Sequence, residues 1–161
     1  MLFRSLVVGA DFSQPMLARA RAKGVAHLVA GDGLRLPFAA ETFDAVTVAF
    51  GLRNMESWPG ALSEMARVLR PGGHALIMDF SMPPPPLLWL YRPYLRYILP
   101  KLAALVTGQR AVYEYLADSI ERFPSGEEMR ELLQKAGLRC EEQLRVQGGI
   151  VTMHVAARVA G

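Results

Sequence analysis

A chain of 161 residues, 52% of them hydrophobic, is long enough to bury a single core and too apolar to be disordered overall. Its net charge of +3 is no more than scattered surface Lys and Arg produce, so no nucleic-acid partner is implied. The lone cysteine, Cys140, excludes an internal disulfide; it has no Cys or His at ligand spacing, so no metal site is expected, and it suits a reducing compartment.

No apolar run approaches the ~18 residues that span a bilayer, and residues 1–10 lack the length and cleavage pattern of a signal peptide, so a cytoplasmic location is expected. Strand and helix signals alternate from the start. Residues 6–10 read as a short buried strand, after which Ser13 caps a helix with Pro15 in its first turn, ending at Gly24. A strand at 26–30, a turn through Gly31, Asp32 and Gly33, and a β-branched run over 43–50 suited to an interior parallel strand complete a pair of βαβ units. Ser57 caps a helix reaching Arg70, with Leu62, Met65, Val68 and Leu69 on one face, and Pro71-Gly72-Gly73 stops it before a strand at 74–80. After Pro83–Pro86, residues 87–106 have helical apolar spacing broken by Pro93 and Pro100, predicting two short helices, and a further helix follows over 110–122. Ser125 is expected to cap a helix ending at Ala136-Gly137, before alternating stretches 138–146 and 150–158 meet at Gly148-Gly149 as an antiparallel hairpin. One domain is expected throughout, with residues 83–122 as a helical insertion shaping a substrate or membrane surface.

Two acidic turns carry the first chemical signal. Asp11 falls between a strand end and a helix start, where open α/β sheets bind nucleotides; it can accept both hydroxyls of a ribose or serve as a loop or capping aspartate. Asp32 and Gly33 follow the next strand, where a carboxylate can meet an adenine edge and glycine lets a ring approach, or where the pair simply makes a tight turn.

Asp11, Asp32, the stretch Leu36-Pro37-Phe38 followed by Phe43-Asp44-Ala45-Val46, and Leu69-Arg70-Pro71-Gly72-Gly73 resemble, in order and spacing, the class I methyltransferases. Within that class, Ala49-Phe50-Gly51-Leu52-Arg53-Asn54 closely resembles a segment of the ubiquinone/menaquinone biosynthesis C-methyltransferases, and Gly148-Gly149-Ile150-Val151 with His154 resembles their closing strand. Leu99-Pro100-Lys101 and Tyr115-Leu116-Ala117-Asp118-Ser119-Ile120 look like that family's insertion, so the resemblance runs from Val8 to Arg158. It implies an α/β fold with a Rossmann-like sheet and a C-terminal antiparallel hairpin. It implies S-adenosylmethionine as cofactor, with Asp11 on its ribose, Asp32 and Gly33 at its adenine, and Ala49 in place of the family's commoner serine, one hydrogen bond fewer. The family's first strand and glycine-rich loop have no counterpart before Leu6, so the chain is expected to be N-terminally truncated, with Met1–Ser5 a foreign junction and the strands beside the missing one left unpaired or forced together.

The reaction that the resemblance implies is methyl transfer to a ring carbon of a prenylated quinol, in ubiquinone or menaquinone biosynthesis. Arg53 is the candidate for stabilising the phenolate, being a permanent cation, with an ion pair to Glu56 or another carboxylate as its plain alternative. His154 is the candidate proton acceptor or, equally simply, a structural strand histidine. Residues 87–110 hold Trp89, Tyr91, Tyr94, Tyr97 and four basic residues with no acidic one, a pattern for a lipid tail or peripheral contact with a membrane, or for an insertion that covers the sheet. A methyltransferase for another small or lipidic acceptor and a non-catalytic interaction module are the competing readings.

Overall fold

The computed structural model describes residues 6–107 and 110–159; the expectation for Met1–Ser5 lies outside them. The first βαβ unit is small. Strand β1 (Gly9–Asp11), helix α1 (Gln14–Ala22) and strand β2 (Leu28–Ala30) form a two-stranded parallel sheet in which Gly9 pairs with Leu28 and Asp11 with Ala30. The strand predicted from residue 6 begins only at Gly9, because Leu6 and Val7 find no ladder partner and stand exposed. Ser13 occupies the N-cap of α1, but its side chain makes no capping bond; Pro15 starts the helix and Gly24, at φ 88°, ends it.

The larger sheet has the order β3-β4-β6-β5, built from β3 (Phe43–Ala49), β4 (Leu69–Phe80), β5 (Leu138–Val146) and β6 (Val151–Arg158). β3 and β4 run parallel, whereas β6 is antiparallel to both β4 and β5, giving the expected hairpin at the end of the chain. β3, read as an interior strand from its β-branched run, is an edge strand, with Ala45, Thr47 and Ala49 exposed. Of the two alternatives for the neighbouring strands, the described residues adopt the unpaired one: β1 and β3 belong to separate sheets and each keeps a free edge.

Helix α2 (Trp58–Val68) is capped by Ser57, whose Oγ accepts the Gly60 N–H at 3.2 Å. It stops at Val68, two residues short of the prediction, because Leu69 is already extended (φ −74°, ψ 142°) and begins β4. Pro71-Gly72-Gly73 therefore lies inside the strand: the register jumps from Phe43↔Leu69 to Ala45↔His74, and a Cβ on Gly73 would meet the Arg70 carbonyl at 2.9 Å and the Asp44 carbonyl at 3.0 Å. The four residues predicted to share the face of α2 are all buried, Leu62, Met65 and Val68 from the helix and Leu69 from the first position of β4. Together with Ile77, Ala156 and, from helix α6 (Glu127–Lys135), Met129 and Leu133, Leu62, Met65 and Leu69 build the main core. α6 starts from Gly126, at φ 60°, rather than from a Ser125 cap.

The insertion forms a second, smaller core from Tyr91, Leu95, Ala117 and Ile120 against Phe80 and Ile150. Helix α3 (Leu87–Pro93) runs through a wide π turn (Tyr94–Ile98) into α4 (Leu99–Thr107), so the two prolines kink a nearly continuous segment instead of separating two helices. Helix α5 (Arg110–Arg122) then returns as predicted.

His154 sits on β6 between Ile77 and Gln143, 3% exposed, with Nε2 buried and unpartnered. Burial, helped by the nearby Arg130 cation, depresses its pKa from 6.5 to about 4. Between those values the unfolded chain binds the proton that the folded chain refuses, so stability is full above pH 6.5 and falls as the solution is acidified toward 4, by at most about 3 kcal/mol. Denaturant melts between pH 7 and 5, above the carboxylate range, should show this slope in the native chain and a flatter one in His154→Gln.

Candidate active site

The carboxyl ends of the parallel strands gather the acidic turns. The Gly31 N–H donates to the Asp11 carbonyl at 3.1 Å, which brings the turn after β2 beside the end of β1. Asp11 Oδ1 accepts the Ser13 N–H at 2.8 Å, and its second oxygen has no donor among the described residues. Asp32 Oδ1 accepts the Leu34 N–H at 2.9 Å, so the tight-turn reading of this segment holds while its other oxygen has no donor among the described residues. Gly33 packs against the end of the Met55 side chain, whose methyl would lie 2.8 Å from a Cβ placed there. Downstream of it, the Leu36 N–H donates to Glu64 at 2.7 Å, and Arg67 both grips Glu64 at 2.7 Å and holds its carboxyl below the usual range. The two sheets, unpaired as strands, are joined through these contacts to α2.

At the end of β3 the backbone is strained. Phe50 adopts φ 55°, a conformation that costs an aromatic residue about 1–3 kcal/mol, and in it the Phe50 carbonyl turns back to accept Arg53 Nη1 at 2.7 Å and Asn54 Nδ2 at 3.3 Å. A single 3-10 turn (Leu52–Asn54) follows, anchored by Leu52, which is fully buried. Asp79, near the end of β4 and 2% exposed, takes hold of that turn: Oδ2 accepts the Arg53 backbone N–H at 3.1 Å and Oδ1 accepts Arg53 Nη1 at 2.7 Å. The same Oδ1 accepts the Phe80 N–H at 2.9 Å, and the guanidinium lies 5.3 Å from the centre of the Phe80 ring. Arg53 thus has a carboxylate partner, and it is Asp79 rather than Glu56.

Beside this turn opens a cleft of about 500 Å³. Arg53, Asn54 and Trp58 line one side and Tyr115, Ser119 and Arg122 of α5 the other, with the Tyr115 hydroxyl donating to Asn54 Oδ1 at 3.3 Å. Two of the lining residues, Arg53 and Trp58, each hold a buried donor, Nε and Nε1, with no acceptor among the described residues. A donor-rich, cationic cleft of this kind suits an oxygen atom that carries or develops negative charge. The turn that carries Asp32 is bonded to Asp11 through Gly31, and Ala49 ends β3 just before the turn that carries Arg53, whereas His154 is not among the residues lining the cleft. Sequence reasoning missed Asp79, Trp58 and the strained Phe50; the one available signal was an aspartate in the last positions of an otherwise apolar strand.

Parallel βαβ units with acidic turns at their carboxyl ends and an antiparallel closing strand define the class I S-adenosylmethionine-dependent methyltransferases. Solved members superpose closely: an S-adenosylmethionine-dependent methyltransferase from Thermotoga maritima has a TM-score of 0.67 at 22% identity, covering 94% of this chain and 72% of its own. One from Mesorhizobium loti has a TM-score of 0.65 at 17% identity, covering 96% and 81%. The chain belongs to the ubiE/COQ5 methyltransferase family, whose profile matches residues 3–158, and the cofactor of that class is S-adenosylmethionine. Among curated relatives it is similar to proteins named demethylmenaquinone methyltransferase. The protein from Corynebacterium kroppenstedtii is 44% identical over 155 residues, covering 96% of this chain and 67% of the relative. That from Thermus thermophilus is 41% identical, covering 94% and 71%, and that from Mycobacterium tuberculosis is 45% identical, covering 91% and 63%. The chain therefore spans about two thirds of the length of these relatives.

Proposed function

We propose that this chain serves C-methylation of a prenylated naphthoquinol, a demethylmenaquinol, at the ring carbon next to a hydroxyl. The observation that carries the reading is Arg53, a cation clamped by Asp79 at 2.7 Å on a residue that lines the cleft. The relatives named demethylmenaquinone methyltransferase support the naphthoquinol over a benzoquinol.

The residues at the strand ends fit the cofactor chemically. Asp11, with one carboxylate oxygen free among the described residues, takes the ribose hydroxyls; Asp32 and Gly33 border the adenine; Ala49, at the end of β3, lacks the hydroxyl that would add a hydrogen bond. S-adenosylmethionine, when bound, supplies an electrophilic methyl group on a sulfonium. Arg53 would stabilise the quinol oxygen as phenolate, its hydroxyl proton passing to water; this would raise electron density on the neighbouring ring carbon that is methylated, whose own proton would then leave to water. His154, buried, neutral at pH 7 and outside the cleft lining, has a packing role in this reading.

The exposed side of the insertion fits the lipid nature of that substrate. Trp89, Leu90, Tyr97, Ile98 and Leu102 are exposed on α3, the π turn and α4, and Lys101 stands among them. Arg92 and Arg96 both turn to the single carboxylate of Glu121, at 3.7 and 2.9 Å, so the patch stays cationic. No helix among the described residues is long and apolar enough to cross a membrane, and the contact proposed is peripheral, on an anionic bilayer.

Three measurements check these assignments. With a short-chain demethylmenaquinol and labelled S-adenosylmethionine, Arg53→Ala should lower kcat by about 100-fold or more, and Arg53→Lys should fall between; an unchanged kcat in Arg53→Ala removes the basis of the reading. Calorimetric titration with S-adenosylhomocysteine should show Asp11→Ala weakening affinity by about 10-fold or more, while Arg53→Ala leaves it intact. In sedimentation with phosphatidylglycerol vesicles the chain should bind at low salt, release as salt rises, and bind less as Trp89→Ala; no binding at low salt argues against the membrane surface.

A further inference from the structure

Arg53 is useful in the proposed role only if its guanidinium is held still and aimed, and an arginine side chain left to itself does neither. We infer that Asp79 is the positioning residue of this site. It reaches the arginine twice, through the backbone N–H at 3.1 Å and the guanidinium at 2.7 Å, and is itself braced by the Phe80 N–H at 2.9 Å. One carboxylate thereby fixes both the path of the 3-10 turn and the direction of the side chain that leaves it. The Phe50 carbonyl takes a second bond from the same Nη1, and the Phe80 ring lies beneath the guanidinium. With Nη1 committed to Asp79 and Phe50, the side chain that lines the cleft is held at its guanidinium, and its Nε is buried with no acceptor among the described residues. The burial of the carboxylate, 1% exposed against 11% for its partner, keeps water from competing for the contact. The other charged or titratable side chains that line the cleft, Glu56, Tyr115 and Arg122, make no hydrogen bond or ion pair with Arg53 among the described residues, so Asp79 alone balances its charge.

This inference rests on the role proposed for Arg53, and its test separates the two. In a nitrogen-labelled chain, the Arg53 Nη protons should give separate resonances, because rotation about Nε–Cζ is blocked; in Asp79→Asn they should average while the backbone amide pattern elsewhere is kept. Resonances already averaged in the native chain, or still separate in Asp79→Asn, overturn the assignment. Should Asp79→Asn fail to fold, Asp79→Glu, which keeps the charge and displaces it by one methylene, serves in the same comparison. In the methylation assay Asp79→Asn should lower kcat by about 100-fold with KM within about twofold, and should cost nothing more when added to Arg53→Lys. Losses that add in the double variant overturn the assignment by showing that Asp79 acts independently of Arg53. If the native chain methylates no quinol, the proposed reaction falls while the resonance experiment still decides what Asp79 does.

Discussion

A carboxylate almost without solvent contact is the constraint around which this molecule is arranged. Removing Asp79 from water costs on the order of several kcal/mol, a cost offset only by an opposite charge and well-made hydrogen bonds. Arg53 provides both, but to reach Asp79 the chain leaving β3 must reverse within a few residues. That reversal is made by Phe50 in a left-handed conformation and by the 3-10 turn anchored on buried Leu52. The strain at Phe50 is thus retained by the ion pair and by ring contact with Phe80, whose centre is 4.8 Å away. Packing, backbone strain and charge converge on one point, which is also where the cleft opens.

The second feature is the way the acidic turns are held. β1 and β2 bury little of their own; α1 contributes a single buried side chain, Leu17. Their position is set by the loop after β2, where Gly33 packs on Met55 and Glu64 with Arg67 secures Leu36. The acidic turns are therefore positioned by α2, the same helix that buries Leu62 and Met65 in the main core. The free edges of β1 and β3 leave unpaired backbone groups beside this region, which makes those hydrogen-bonded contacts more consequential for holding the unit together.

The insertion completes the arrangement from the other side. α5 lays Tyr115, Ser119 and Arg122 over the turn that carries Arg53 and Asn54, so the cleft exists only because the helical segment folds back on the sheet. The same segment turns Tyr91 and Leu95 inward and Trp89, Leu90 and Tyr97 outward. One sequence-continuous element thus both closes the cleft and presents an exposed apolar, cationic surface.

Much of this was legible in the linear order of residues. Local signals located the six strands and most helices: Ser57 started α2, the helical spacing of Leu62, Met65 and Val68 marked its buried face, and two alternating stretches joined by glycines marked the last hairpin. Motif order pointed to Asp11, Asp32 and Arg53 because each sits next to a strand end, a relation that is local in sequence. Other features depended on partners far along the chain. Whether β3 is interior or edge is decided by which strand lies beside it, and the fate of Pro71-Gly72-Gly73, a bulge instead of a loop, is decided by the register with Asp44 and Ala45. The pairing of Arg53 with Asp79 spans 26 residues, and the depressed basicity of His154 comes from burial that no window of sequence contains. Sequence alone determined the elements and the residue types at their ends, since propensity and periodicity act over a few residues; only the tertiary structure decided which charges meet, which donors stay buried and unpaired, and where a cleft opens, since those depend on contacts between segments that the chain brings together when it folds.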